Sequence, residues 1–378
     1  MQLIRPLQHN LPNWQTITAI LVIICAGIAV WSLPKWTWDM LPYSFLAAQA
    51  TGSDITEAHQ YAYTAIAHLP KEAQTTLLAG NTYNKTLSNS PAAMAETSTF
   101  YSQRVGFIDL LAVTTYFKIP PFKAFQLINL IATLLTGLVL WRWLQKIFSA
   151  QWVPTILFCI LALIVTLRFG RTPTPDHLMG AFLLAGTYLT LYRNPYLGIA
   201  SWLGSTLLRP QVIIFLFPYG IWLLWKLLKE KDLYFFKQAA VLLLVGIAAI
   251  IIHFSFPHPG LATLQSHAWG ELNPFPLSQP VTFNWQNYCN LITERFFNIH
   301  GREFFMLACI SLFGGYAAIL GTGIIRLLSL STLAFLTIQY LMFPALWPRL
   351  VIAPTLILFM LAGTAKATLY KETLAKQA

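Results

Sequence analysis

FKAFQLINLIATLLTGLVLWRWL, residues 122–144, is the stretch on which the fold turns. Between Ala124 and Trp141 it holds no ionisable side chain. At 1.5 Å per residue a helix of this length spans about 34 Å, enough to cross a hydrocarbon core of ~30 Å. Similar runs lie at Trp14 to Leu33, Gln238 to Phe256 and Phe304 to Ile325, and others are shorter or broken by proline. Over all 378 residues, 56% are hydrophobic and 10% charged, with a mean hydropathy of +0.59. Soluble domains carry roughly 25% charged residues. So few charges cannot cover a water-facing surface, and the chain reads as an all-α integral membrane protein.

The net charge of +11 does not indicate nucleic acid, because the basic residues sit at the ends of apolar runs and no aromatic-basic module accompanies them. Cys25, Cys159 and Cys309 fall in apolar runs and Cys289 stands alone in a polar segment, so no disulfide framework is implied. The first run is expected to be an uncleaved anchor. It is long, only Arg5 precedes it, and Trp31-Ser32-Leu33-Pro34 is a poor cleavage site.

The pattern predicts a single transmembrane domain, 1–378, with about ten spans: 14–33, 122–144, 152–168, 178–192, 196–208, 211–228, 238–256, 303–325, 329–346 and 349–365. Both termini are then cytoplasmic. The short inner loops are basic (Arg142, Lys146, Arg193, Lys226, Lys229, Lys231, Lys237, Arg326, Lys366, Lys371), as the positive-inside rule requires. Only Glu230, Asp232 and Glu372 of the thirteen acids lie inside. Residues 105–119 are apolar enough for a short span, but making them one inverts everything downstream, so they are laid on the membrane as an amphipathic or half-inserted helix. Residues 196–228 are too long for one straight crossing, and Pro210 supplies the break. Two large extracytoplasmic loops follow, 34–121 with interfacial helices such as 54–68, and 257–302. The stretch from Lys71 to Ser98 is polar, rich in Thr, Asn and Ala, and is expected to be mobile.

Ionisable groups near membrane depth are costly and carry the chemical interest. Asp39 follows the first span among aromatic side chains, in Trp36-Thr37-Trp38-Asp39-Met40-Leu41-Pro42-Tyr43, where it is placed either as a general base or as a helix N-cap. Asp176 and His177 close the turn Arg168-Phe169-Gly170-Arg171-Thr172-Pro173-Thr174-Pro175, and Asp176 also suits a cap. Arg209 stands before Pro210 in an apolar region, where it binds phosphate, forms an internal salt bridge to Asp176 or Asp39, or snorkels to the interface. Arg349, in Trp347-Pro348-Arg349, reads the same way, and Arg104 ends the first loop where it can close over a ligand. His59 and Tyr63, at i and i+4, fit a ligand contact or an aromatic belt. His267 and Glu271 make only a weak metal pattern, His253 and His258 add no HExxH motif, and no nucleotide-binding motif is present.

In layout the chain resembles GT-C fold glycosyltransferases, the class of protein O-mannosyltransferases and aminoarabinose transferases. The resemblance covers roughly residues 1–256. It rests on the anchor span followed by Asp39, on Tyr101-Ser102-Gln103-Arg104, on Phe125-Gln126-Leu127-Ile128-Asn129, on Pro175-Asp176 and on Leu207-Leu208-Arg209-Pro210. It implies a polyprenyl-phosphate sugar donor and a glycan or lipid acceptor on the extracytoplasmic side of a bacterial-type inner membrane, with membrane lipids as surroundings. It also implies Asp39 as base and Asp176 as a residue holding the acceptor or a divalent metal. Arg209 would bind donor phosphate with Arg104, Arg171 or Arg349. Apart from the resemblance, Tyr43, His59 and His177 are further candidates for the substrate site. The sequence departs from the best-known members in having Met40 after Asp39 instead of a second acid, and in ending without a sizeable soluble domain. The main rival from the residues is a transporter or flippase for a lipid-linked or anionic substrate, to which broken helices and buried arginines also belong.

Overall fold

The computed structural model describes residues 13–269, 272–299, 301–344 and 346–377. Arg5 and Glu271 lie outside the described residues, as do the side chains of His253 and Lys376. Among the described residues the chain is entirely helical. After α1 (Asn13–Ser32) comes a layer of short helices: α2 (Met40–Ala50), α3 (Ile55–Thr64), α4 (Lys71–Ala79), α5 (Thr82–Asn89), α6 (Pro91–Ser98) and α7 (Val105–Tyr116). The bundle continues with α8 (Pro121–Ile147), α9 (Val153–Thr166), α10 (Asp176–Tyr192), α11 (Pro195–Leu208), α12 (Ile213–Glu230) and α13 (Leu233–Ser255). Two short helices, α14 (Leu261–Trp269) and α15 (Trp285–Phe297), precede the last three, α16 (Arg302–Leu320), α17 (Ile324–Met342) and α18 (Pro348–Gln377).

Seven stretches are long and apolar enough to cross a membrane: α1, α8, α12 with the turn before it, α13, α16, α17 and α18. This is the pattern of an integral multi-pass membrane protein. The surface agrees with it. On α1, Ile17, Leu21, Ile24 and Ile28 form an exposed stripe at helical spacing, while Ala19, Ile23, Ala26 and Val30 form the buried one. The buried stripe packs on α8, where Gly137 lets the Ile23 side chain approach to a distance that a Cβ would block.

Several boundaries differ from the sequence reading. The span expected to begin at 238 starts at Leu233, capped by the Asp232 carboxylate on the Tyr234 amide. The last helix runs on to Gln377, past the expected end at 365. The polar stretch from 71 to 98 folds into α4, α5 and α6. Asn81 and Ser90 cap the second and third of these, and Leu77, Leu87 and Met94 are buried beneath them. Residues 105–116 form a helix of only 12 residues, about 18 Å and too short to cross on its own.

The second large segment lies against the first. The Glu96 carboxylate accepts from the Leu277 and Ser278 amides and the Ser278 hydroxyl. Ser102 donates to the Pro257 carbonyl and Thr97 to that of Pro274. This clasp brings α14 over the start of α2 and the ends of α11 and α17, where the cavity described next is enclosed.

Candidate active site

The route from α1 to Asp39 is pinned at its start. Arg171 Nε donates to the Leu33 carbonyl, and the Lys35 amide donates to the Arg171 carbonyl at 3.0 Å. A turn from Thr37 to Met40 then presents Asp39 at the N-cap position of α2, but its carboxylate makes no capping hydrogen bond. Oδ1 accepts from the Tyr101 hydroxyl at 2.8 Å and Oδ2 from Arg349 Nη1 at 2.7 Å. Arg349 comes from the first turn of α18 and lies over the Trp347 ring, 4.8 Å from its centroid. Burial works against the charge on Asp39, but Arg349, the Tyr101 hydroxyl and Arg104 outweigh it and hold the carboxyl below the usual range.

A second ion pair stands beside it. Pro210 bars helical geometry at Arg209, whose backbone is extended at φ −149°, and α11 therefore ends there. The freed side chain turns to Asp176, with Nε 2.5 Å from Oδ1. Asp176 is wholly buried at the first position of α10, with Arg209 as its ion-pair partner. Of the alternatives weighed for Arg209, the internal salt bridge to Asp176 is the one present. Arg104 sits at the N-cap of α7, donates to the Tyr43 hydroxyl and lies 5.0 Å over the Tyr101 ring. Among the described residues no carboxylate pairs directly with Arg104.

Asp39, Arg104, Arg209 and Arg349 all line one cavity of about 340 Å³. Three arginines face two carboxylates, Asp39 in the wall and Asp176 behind Arg209, which leaves one positive charge uncompensated. Guanidinium groups present paired donors suited to phosphate or carboxylate oxygens. The cavity is thus electrostatically prepared for an anion lying next to a carboxylate. Its opposite side is formed by apolar residues of α14 and α17, among them Leu261, Leu264 and Phe335.

The structure separates the sequence candidates. It joins Asp39, Arg104, Arg209 and Arg349, with Asp176 and Tyr43 directly behind them. It does not bring Arg171, His177 or His59 to the cavity. Arg171 holds the end of α1. His177 is wholly buried against Phe169, with ring centroids 4.9 Å apart. His59 Nε2 meets the Leu87 carbonyl at 2.8 Å and its ring packs on Tyr63. Tyr101 and His267 are among the wall residues that the sequence did not single out for this site. Tyr101 stands one helical turn before Arg104 and carries no signal of its own. His267 lies on α14 between Phe100 and Tyr83, at 4.8 and 5.2 Å, and burial lowers its pKa to about 4, so it is neutral at physiological pH.

No cluster of three metal-ligating side chains occurs among the described residues. Asp39 and Asp176 each already face an arginine, a donor set that does not fit a divalent cation. No family model, curated protein or solved structure matches the chain.

Proposed function

We propose that the protein is a membrane glycosyltransferase of GT-C type that moves a sugar, with inversion, from a polyprenyl-phosphate donor to a hydroxyl of a glycan or lipid acceptor. The observation that carries this reading is the single cavity in which the Asp39 carboxylate stands among Arg104, Arg209 and Arg349. Displacement at an anomeric carbon needs a base on the attacking hydroxyl and positive charge on the departing phosphate. In this reading the acceptor oxygen attacks C1, the C1–O bond to phosphate breaks, and polyprenyl phosphate leaves with the electron pair. The acceptor proton passes to Asp39. In the resting state Arg349 and Tyr101 keep Asp39 a weak base. An arriving phosphate that draws Arg349 to itself raises the basicity of Asp39, so donor binding readies the site. The reading includes about ten crossings and an extracytoplasmic cavity in a bacterial-type inner membrane. The basic inner loops support that orientation. Helix α11 has 14 residues, about 21 Å, so the turn that ends it, where Arg209 sits, lies below the full ~30 Å hydrocarbon surface, in reach of a lipid phosphate.

The test uses purified protein in lipid vesicles with radiolabelled polyprenyl-phosphate sugars and mixed glycan and lipid acceptors, following release of polyprenyl phosphate. The wild type is expected to release it, and Asp39→Asn to lose about 10² or more of the rate, within the usual range for a general base. Full transfer by a well-folded Asp39→Asn protein removes Asp39 as base. Movement of the lipid across the bilayer with its sugar still attached makes the protein a flippase instead.

A further inference from the structure

At the other end of the bundle lies a cavity that the arginine site does not use. Helix α12 leads away from Arg209, and its 18 residues carry the chain about 27 Å to Glu230. There a cavity of about 230 Å³ is enclosed by the α10–α11 turn, α12, the start of α13 and the first residue of α17. Four aromatic side chains line it. The Trp222 ring stands 5.7 Å from Tyr219 and 6.0 Å from Phe235, and Phe235 stands 5.5 Å from Tyr234. Two exposed carboxylates, Glu230 and Asp232, belong to the same wall. Glu230 is paired with Lys226, whose ammonium lies 5.9 Å from the Phe235 ring centroid. Asp232 accepts from the Tyr234 amide through Oδ1 at 2.8 Å, and among the described residues no cation pairs with it. Gln238, 2% exposed, also lines the cavity. Its Oε1 accepts from the Tyr219 hydroxyl at 3.1 Å. Its Nε2 is buried and makes no hydrogen bond of normal geometry, although the Tyr234 hydroxyl lies near it.

Such a wall suits a ligand of mixed charge. A carboxylate and aromatic rings attract an ammonium group, and the unused amide N–H calls for an oxygen. Around the same turn Lys229, Lys231 and Lys237 are exposed and add positive charge for an oxyanion. A headgroup that is only anionic would leave Asp232 and the rings unmatched. A hydrated metal ion would meet too few ligands, since no cluster of three metal-ligating side chains occurs among the described residues. The source of the ligand follows from the surroundings. Leu228 and Leu233, on either side of the turn, are 78% and 61% exposed, so apolar surface of two helices long enough to cross a membrane borders the cavity. We propose that this cavity binds the headgroup of a zwitterionic aminophospholipid of the phosphatidylethanolamine kind. Its primary ammonium lies at Asp232 among the rings, its phosphodiester oxygens take the Gln238 N–H and the lysine charge, and its chains lie along α12 and α13. The assignment stands on these residues and not on the transfer reaction proposed above.

The experiment titrates the full-length protein in detergent micelles with phosphatidylethanolamine, phosphatidylcholine and phosphatidylglycerol of identical chains, and reads lipid adducts by native mass spectrometry. Phosphatidylethanolamine is expected to bind about ten-fold tighter than phosphatidylglycerol, the size of one hydrogen bond to a charged group. Asp232→Asn is expected to remove that preference and leave phosphatidylglycerol binding unchanged. Asparagine caps a helix as well as aspartate does, so this variant keeps the start of α13. Glu372→Gln, which removes an acid of α18 outside the cavity, is expected to keep the preference and so controls for net charge. Equal binding of phosphatidylethanolamine and phosphatidylglycerol by the wild type overturns the proposal, and so does an Asp232→Asn protein that still prefers the former. Phosphatidylcholine binding as tightly as phosphatidylethanolamine overturns the primary-ammonium assignment, because a quaternary ammonium has no N–H to give Asp232. Displacement of the lipid by an equal concentration of free phosphoethanolamine overturns the lipid source, since the ligand would then be the soluble zwitterion.

Discussion

Asp176 and Arg209 show how a buried charge is kept. Taking a carboxylate out of water costs several kcal/mol, and the guanidinium repays this only while both partners remain. Asp176→Asn leaves Arg209 unmatched and is expected to cost about 3–5 kcal/mol, read as a lower thermal unfolding midpoint in detergent. The double variant Asp176→Leu/Arg209→Met should recover most of that loss, because an apolar pair of similar volume replaces the ion pair. A double variant no more stable than Asp176→Asn alone would sink this account. His267 gives the pH counterpart. Its pKa falls from 6.5 to about 4 on folding because burial disfavours the charged ring. The unfolded chain therefore binds more protons between those values, and stability rises with pH there. This contribution is complete above pH 6.5 and is lost as pH falls towards 4. Thermal unfolding at pH 7 and pH 5 is expected to show a larger acid-induced drop for the wild type than for His267→Asn. Equal drops would show that the ring is not desolvated on folding.

Helices α10 and α11 pack with their backbones nearly in contact. A Cβ on Gly198 would fall 2.0 Å from the Thr190 hydroxyl, 3.1 Å from the Thr190 Cβ and 2.8 Å from the Gly186 backbone carbonyl. Small residues at such crossings are what allow close helix approach in membranes. Gly198→Ala should thus force the pair apart, at about 1–3 kcal/mol. Gly204→Ala, on the same helix, meets only the Phe182 ring at an ordinary 3.5 Å and should be nearly neutral. A thermal-shift comparison of the two checks the assignment, and similar midpoints would refute it. At this scale the sequence is legible where a local rule operates. Pro210 dictates the break after Arg209, and the long apolar runs dictate their helices. The short helices of residues 71–98 escaped because their polar composition hides the periodicity. Their caps, Asn81 and Ser90 followed by Pro91, were the readable signal.

At the scale of the molecule, the site was legible in its parts and not in its pairing. Asp39 and Arg209 stood out as charges near apolar runs, but the partner of Asp39 lies 310 residues away, and no local rule reaches that far. The pairing in turn constrains the topology. Asp39 and Arg349 touch, so they lie at the same membrane face, and the chain between them must cross an even number of times. If α8 to α13, α16 and α17 all cross, the count is eight. A crossing by α7 as well would make it odd, and parity therefore excludes that crossing, in agreement with the helix's length of about 18 Å. The proposed orientation rests on the lysines, which gather at the α12–α13 turn at the opposite end from Arg209. The prediction concerns two exposed lysines, Lys85 on α5 and Lys229 near the end of α12. In a protein whose four native cysteines are replaced by alanine, Lys85→Cys should react with a membrane-impermeant maleimide on intact cells. Lys229→Cys should react only after the membrane is opened. Labelling of both on intact cells would mean that α8 to α12 do not all cross. Labelling of Lys229→Cys alone would invert the protein and place the arginine-lined cavity on the cytoplasmic side, which would remove the extracytoplasmic transfer reaction proposed above.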